Sequence, residues 1–291
     1  MHRKQRTIRS SKSCKGVGLH TGVDSVITFH PAPENYGIRF IRSDIKDSPE
    51  IKADIDHVVD ISRGTTIEEN DIRIHTVEHA LAAVTGLRID NVMIELNSKE
   101  TPVMDGSAKD FVDALLDAGI VTQKSERKVL EINRAVNYTD YYRDIDIHVI
   151  PSDRFRVTFL VEYPLPALGT QYEAIYNMEE DFAVEVAPAR TFCFLSEIEM
   201  LKEQGLIKGG DLDNALVIVD KKIDQVEMNR LRDLFGIEEN IIQVLPICLF
   251  WGRFSILIYL EKFNYLCYER KSNSHKEYWR GFKKESVLSL V

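Results

Sequence analysis

No stretch of this sequence stays apolar for the roughly 20 residues that a membrane-spanning helix needs, so no membrane span is expected. The opening Met1-His2-Arg3-Lys4-Gln5-Arg6 is basic, but no apolar leader core follows it. Secretion is therefore not expected, and a cytoplasmic setting is. Cysteine is scarce as well. Cys14, Cys193, Cys248 and Cys267 lie far apart without a Cys-x-x-Cys pair, which excludes a disulfide framework and fits a reducing compartment. Positive charge is in deficit, 37 Lys and Arg against 46 Asp and Glu. That balance excludes general nucleic-acid binding, yet leaves room for a local basic pocket around a phosphate-bearing ligand. Aspartate also runs out, with none after Asp233. From residue 242 to 291, 8 Lys and Arg stand against 4 Asp and Glu, a charge of +4, whereas the preceding part carries −13. What remains, 44% hydrophobic and 29% charged over 291 residues, is the make-up of a globular chain of two domains or one large one.

The most informative stretch is residues 74–86, Ile-His-Thr-Val-Glu-His-Ala-Leu-Ala-Ala-Val-Thr-Gly. Thr76 reads as a helix N-cap and Gly86 as the stop beyond the last turn. Val77, Ala80, Leu81 and Val84 recur at the helical period and predict one buried face. His79 then points almost opposite that stripe, near the surface, with Glu78 at its edge. A helix start favours an ionised carboxylate and a neutral imidazole, that is, a base and a metal ligand. Two ordinary polar residues at a solvated helix start would look the same.

Along the chain, strands are expected at residues 7–15, 25–30 and 38–42, with a tight glycine loop at 16–22 between the first two. That loop is no dinucleotide fingerprint, because no helix follows in the required place. Residues 51–66 read as one or two strands with a polar loop at 62–65, and His57 and His75 as surface or strand histidines. The alternation of Val92, Ile94 and Leu96 marks another strand. Ser107 with Asp110 reads as a capping box for a helix carrying Phe111, Val112, Leu115 and Leu116, ended by Gly119. A charged linker is expected at 123–128, followed by strands at 129–136, 145–150 and 155–163. A short helix is expected at 195–204, a strand at 215–219, and a helix from Asp224 to Phe235. The similar order of elements in the two halves suggests an internal duplication.

Four runs together resemble one family, the UDP-3-O-acyl-N-acetylglucosamine deacetylases of lipid A synthesis. They are the 16–22 loop with Pro31-Ala32-Pro33, Thr76-Val77-Glu78-His79, Met104-Asp105-Gly106-Ser107-Ala108, and Ala189-Arg190-Thr191-Phe192-Cys193-Phe194. Gly209-Gly210-Asp211-Leu212-Asp213-Asn214-Ala215 matches a further segment of that family. The resemblance implies an α+β fold of two similar domains, at 1–122 and 128–241, each a small sheet packed on helices, with the active cleft between them. It implies a zinc (Zn2+) cofactor, Glu78 as general base and His79 as one zinc ligand. It also implies Thr191 as the hydroxyl steadying the acetamide oxyanion, although a helix cap would suit Thr191 equally. The insert around Leu201, Ile207 and Gly210 resembles the passage for the acyl chain, with Phe192 and Phe194 adding apolar surface or simply core. The implied substrate is UDP-3-O-acyl-N-acetylglucosamine, and a monomer is expected. Such a site takes three protein ligands and leaves one position open, and zinc brings the pKa of its water to roughly 7.

The sequence departs from the family after about Ile241. The family's later His-Lys-x-x-Asp run and Gly-His segment are missing. His275-Lys276 is a superficial match, because Trp279 stands where an Asp ligand is needed. A shifted reading frame or a recombined end would produce this, and so would a genuine binding module around 249–259. The expected outcome is an incomplete second domain with a divergent segment at 242–291. The chain is then either a deacetylase with an impaired metal site or a non-catalytic UDP-sugar or acyl-chain binding scaffold.

Overall fold

The computed structural model describes residues 4–129, 132–163 and 168–220, together with Asp224, Val226, Asn229, Arg230 and Asp233. The helix expected from Asp224 to Phe235 falls largely outside the described residues, and the 242–291 segment lies wholly outside them.

The first half runs β1 (Lys4–Ile8), β2 (Lys12–Val17), β3 (Asp24–Pro31), β4 (Ile38–Arg42) and β5 (Glu50–Lys52). A 3-10 turn (Ile55–His57) leads to β6 (Val58–Asp60), β7 (Thr66–Glu69), β8 (Ile72–Ile74) and helix α1 (Glu78–Gly86). Then come β9 (Val92–Leu96), helix α2 (Lys109–Ala118) and β10 (Ile120–Glu126). The main sheet has five strands in the order β2-β3-β9-β4-β5, antiparallel except where β4 runs parallel to β9. Register places Phe29 beside Ile94, Ile94 beside Phe40 and Phe40 beside Ile51, so one row of buried side chains crosses four strands. Alternation on each strand creates this face. The α2 ring of Phe111 meets Phe29 edge-on with centroids 6.1 Å apart.

The second half holds the hairpins β11 (Val136–Asp140) with β12 (Ile145–Val149) and β13 (Val157–Glu162) with β14 (Thr170–Ile175). Helix α3 (Met178–Asp181) runs into a π turn (Phe182–Val186). Strand β15 (Phe192–Phe194), a 3-10 turn (Leu195–Glu197), helix α4 (Ile198–Glu203) and β16 (Leu216–Ile218) follow, with β15 and β16 parallel. The α+β class expected from the sequence holds. Phe182, Val186 and Ala187 join the core of the first half, so the halves share apolar surface.

Several local expectations are corrected. Residues 7–15 are two strands, broken at residues 9–11. The expected linker at 123–128 is largely strand, because β10 pairs antiparallel with β1. The strand expected at 129–136 begins only at Val136, and Val129 is exposed.

Candidate active site

Helix α1 starts without a side-chain cap. Thr76 is left-handed at φ 60°, and its hydroxyl turns away to donate to Glu100 Oε1 at 2.8 Å. The loop before β7 takes over the capping. Val77 N–H donates to the Thr65 carbonyl at 3.2 Å, and Thr65 N–H donates to Glu78 Oε2 at 2.9 Å. A Cβ added at Gly64 would lie 3.1 Å from Glu78 Oε1, so this loop cups the carboxylate closely. Gly86 is the last helical residue rather than a stop beyond it. The Phe182 ring occupies the space a Cβ there would need.

His79 is buried, not surface-facing as the periodicity implied. The stripe argument assumes one covered side. Here α1 meets α2 and also the π turn of the second half, so Ala82 and Ala83 are buried along with the stripe. Burial drives the His79 pKa down to about 4, with the Asp105 charge acting in the opposite direction. The imidazole is therefore neutral at pH 7, the form that binds metals.

Glu100, which pattern reading passed over, is fully buried and joins two of the recognised runs. It accepts from the 16–22 loop at His20 N and Thr21 N, and from the Thr21 and Thr76 hydroxyls. Burial alone would raise its pKa, but these hydrogen bonds bring it below the ordinary carboxylate value. Only a lone Glu ahead of Met104-Asp105-Gly106 signals it in the sequence.

The Asp105–Ser107 turn connects the halves. Ser107 donates to Asp105 Oδ1 at 2.6 Å, and its hydroxyl accepts from Lys109 N–H at 3.1 Å. The expected Ser107–Asp110 capping box is therefore replaced by a tighter local turn, and α2 begins at Lys109. Gly106 has φ 83°, and an added Cβ would collide with the Asn214 carbonyl. Its own carbonyl accepts from Thr191 N–H at 2.7 Å. Arg190 donates to the Asp105 carbonyl at 2.7 Å and to those of Leu212 and Asp213. Thr191 thus sits just before β15, fixed by backbone bonds to the first half, and does not cap a helix.

Next to Thr191 lies a cavity of about 110 Å³ built from both halves. Leu19, His20 and Arg63 line it from the first half. From the second come Thr191, Phe192, Cys193, Leu201, Ile207 and Gly210. Gly209 N–H donates to the Leu19 carbonyl at 3.0 Å, which ties the 207–210 insert to the glycine loop. Arg63 crosses the halves to pair with Glu197 at 3.2 Å, and its carbonyl accepts from His20 Nε2–H. Burial, with Glu197 beside it, pushes the Cys193 thiol up to about 11, so it stays protonated. Phe194 is placed elsewhere, against Phe192 and Tyr163 in a small cluster with Leu168 and Ile218. Glu78 and His79 do not line the cavity. Among the described residues, no three of His, Cys, Asp and Glu come together to hold a metal ion. No helix among them is long and apolar enough to cross a membrane.

The family described as LpxC, UDP-3-O-acyl N-acetylglycosamine deacetylase, matches residues 5–235. The chain is 49% identical over 236 residues to the bifunctional enzyme LpxC/FabZ of Chlorobaculum tepidum, covering 81% of this chain and 50% of that protein. It is 40% identical over 234 residues to the UDP-3-O-acyl-N-acetylglucosamine deacetylase of Thioalkalivibrio sulfidiphilus, with 80% and 76% covered. A third relative is the enzyme of the same name from Chlamydia abortus, 38% identical over 246 residues, with 81% and 87% covered. The chain spans about half the length of the bifunctional relatives it matches.

Proposed function

The chain belongs to the UDP-3-O-acyl N-acetylglycosamine deacetylase family, and from that membership we propose that it binds UDP-3-O-acyl-N-acetylglucosamine and derives from an amide hydrolase of lipid A synthesis working in the cytoplasm. The supporting observation is convergence. Thr191, Phe192, Leu201, Ile207 and Gly210, singled out from the sequence, all line one cavity built by both halves. Its wall is largely apolar, as an acyl chain requires.

In the proposed reaction, water adds to the acetamide carbonyl, the C–N bond breaks, and acetate and a free sugar amine result. Glu78, its carboxylate steadied by Thr65 N–H, is the base that removes the proton from water and then gives it to the departing amine nitrogen. The Thr191 hydroxyl is the donor to the developing oxyanion, beside a backbone that the Gly106 carbonyl fixes. His79, kept neutral by burial, is the proposed zinc ligand. The described residues do not fit a complete zinc site, since no three donors converge.

That mismatch favours a second reading, a binding protein that keeps the cavity and has lost turnover. Incubation with UDP-3-O-(3-hydroxyacyl)-N-acetylglucosamine, following acetate release, separates the two. Release abolished in Glu78→Gln supports the hydrolase, and binding without release supports the scaffold. A chain that neither binds nor turns over this compound refutes both.

A further inference from the structure

The proposed chemistry makes no use of Glu100, yet this residue is fully buried and accepts four hydrogen bonds. Each oxygen takes two. Oε1 accepts from His20 N–H at 2.9 Å and the Thr76 hydroxyl at 2.8 Å. Oε2 accepts from Thr21 N–H at 2.8 Å and the Thr21 hydroxyl at 2.7 Å. An ionised carboxylate offers acceptors only, which suits four converging donors, and such charge-assisted bonds are the strong ones. The approach is close, because a Cβ added at Gly18 would stand 2.5 Å from Oε2. The backbone around Glu100 is equally fixed. Ser25 and Ser98 hydroxyls both donate to its carbonyl at 2.8 Å. His75 N–H donates to the Lys99 carbonyl at 2.9 Å, and Thr101 N–H to the His75 carbonyl at 3.2 Å.

The two arms of this carboxylate lead to different places. Leu19 and His20 form a wall of the cavity, and their carbonyls accept from Gly209 and Lys208 N–H in the insert. Thr76 is two residues before Glu78. We propose that Glu100 is a positioning residue, one carboxylate that locks the cavity wall to the start of α1, so that an acyl chain seated in the cavity is registered against Glu78. This rests on the deacetylase reading of the cavity.

Glutamine cannot replace it. Whichever way its amide turns, an N–H donor faces the N–H of His20 or Thr21, which cannot reverse roles as a hydroxyl can. In the full chain, Glu100→Gln should speed amide hydrogen exchange at least about tenfold at His20 and Thr21 and also at Val77, the loss expected for a hydrogen bond to a charged group. Protection in β3 and β9 should not change. By calorimetry, the same variant should bind UDP-3-O-(3-hydroxyacyl)-N-acetylglucosamine at least about tenfold more weakly. Binding of UDP-N-acetylglucosamine, which has no chain for the cavity, should stay as in the parent. A merely structural role would weaken both ligands. Should Glu100→Gln fail to fold, Thr21→Val removes one donor and is expected to show the same selective loss. Faster exchange at only one of the two segments, or throughout β3 and β9, overturns the proposal, as does equal weakening of both ligands. A parent chain that binds neither ligand refutes the functional reading instead, and the exchange pattern then decides the role of Glu100 by itself.

Discussion

Burial sets the chemistry of the described cysteines. Cys14 is buried and donates to the Asp110 carbonyl, while Cys193 lines the cavity beside Glu197. In both, burial pushes the thiol pKa from 9.0 up to about 11. The raised pKa lowers the thiolate fraction, and the thiolate is the reactive form. Alkylation with iodoacetamide at pH 8, read peptide by peptide, should therefore be at least about tenfold slower at Cys14 and Cys193 in the native chain than after unfolding. Equal rates would show that the sites open freely. At this scale the sequence revealed which residues matter better than how they sit. Glu78 and His79 stand out by type and spacing, but α1 packs against both α2 and a π turn about a hundred residues further along the chain, which no local period encodes. Thr76 carries the signature of an N-cap, yet a buried acceptor, Glu100, outcompetes the helix end for its hydroxyl.

Elements were legible where apolar residues carry the period and were missed where polar ones do. Strands β4 and β9 follow from alternation. Strand β10 read as a linker because its half-buried residues from 123 onward, Gln123 and Ser125, are polar; Gln123 accepts from Asn91 at 2.7 Å and donates to the Ala32 carbonyl at 2.9 Å. A hydropathy pattern cannot register a polar group satisfied within the fold. Gly86 shows the converse. Glycine near a helix end suggests a stop, but here it is helical, and its missing Cβ makes room for the Phe182 ring. A Cβ would lie 2.2 Å from that ring, and Phe182 is almost fully buried, so the ring has little space to yield. Gly86→Ala should improve helix propensity by about 1 kcal/mol and lose about 1–3 kcal/mol to overpacking. The net expectation is a lower urea midpoint with an unchanged slope. A higher midpoint would mean that the contact relaxes at little cost.

At the scale of the whole molecule, the two halves meet through Phe182, Val186 and Ala187 on one side and through the cavity on the other. This placement makes the metal question decidable. A resident catalytic zinc takes three protein ligands, and its affinity rises steeply with the number of donors already held in place. The described residues bring together no such set, and the sequence beyond Asp233 contains no aspartate. His79 alone would contribute a single neutral donor. The purified chain should therefore carry well under one zinc after dialysis against a weak chelator. Adding zinc should raise its thermal midpoint little, because stabilisation follows the ratio of free ligand to Kd. His79→Gln should change neither result by much, since removing one ligand from an incomplete set forfeits little. Tight one-to-one zinc that is lost in His79→Gln would show that residues outside the described set complete the site, with Cys267, His275 and Glu277 the first to replace. In that event acetate release and zinc content should fall together across those variants, and the scaffold reading would fail.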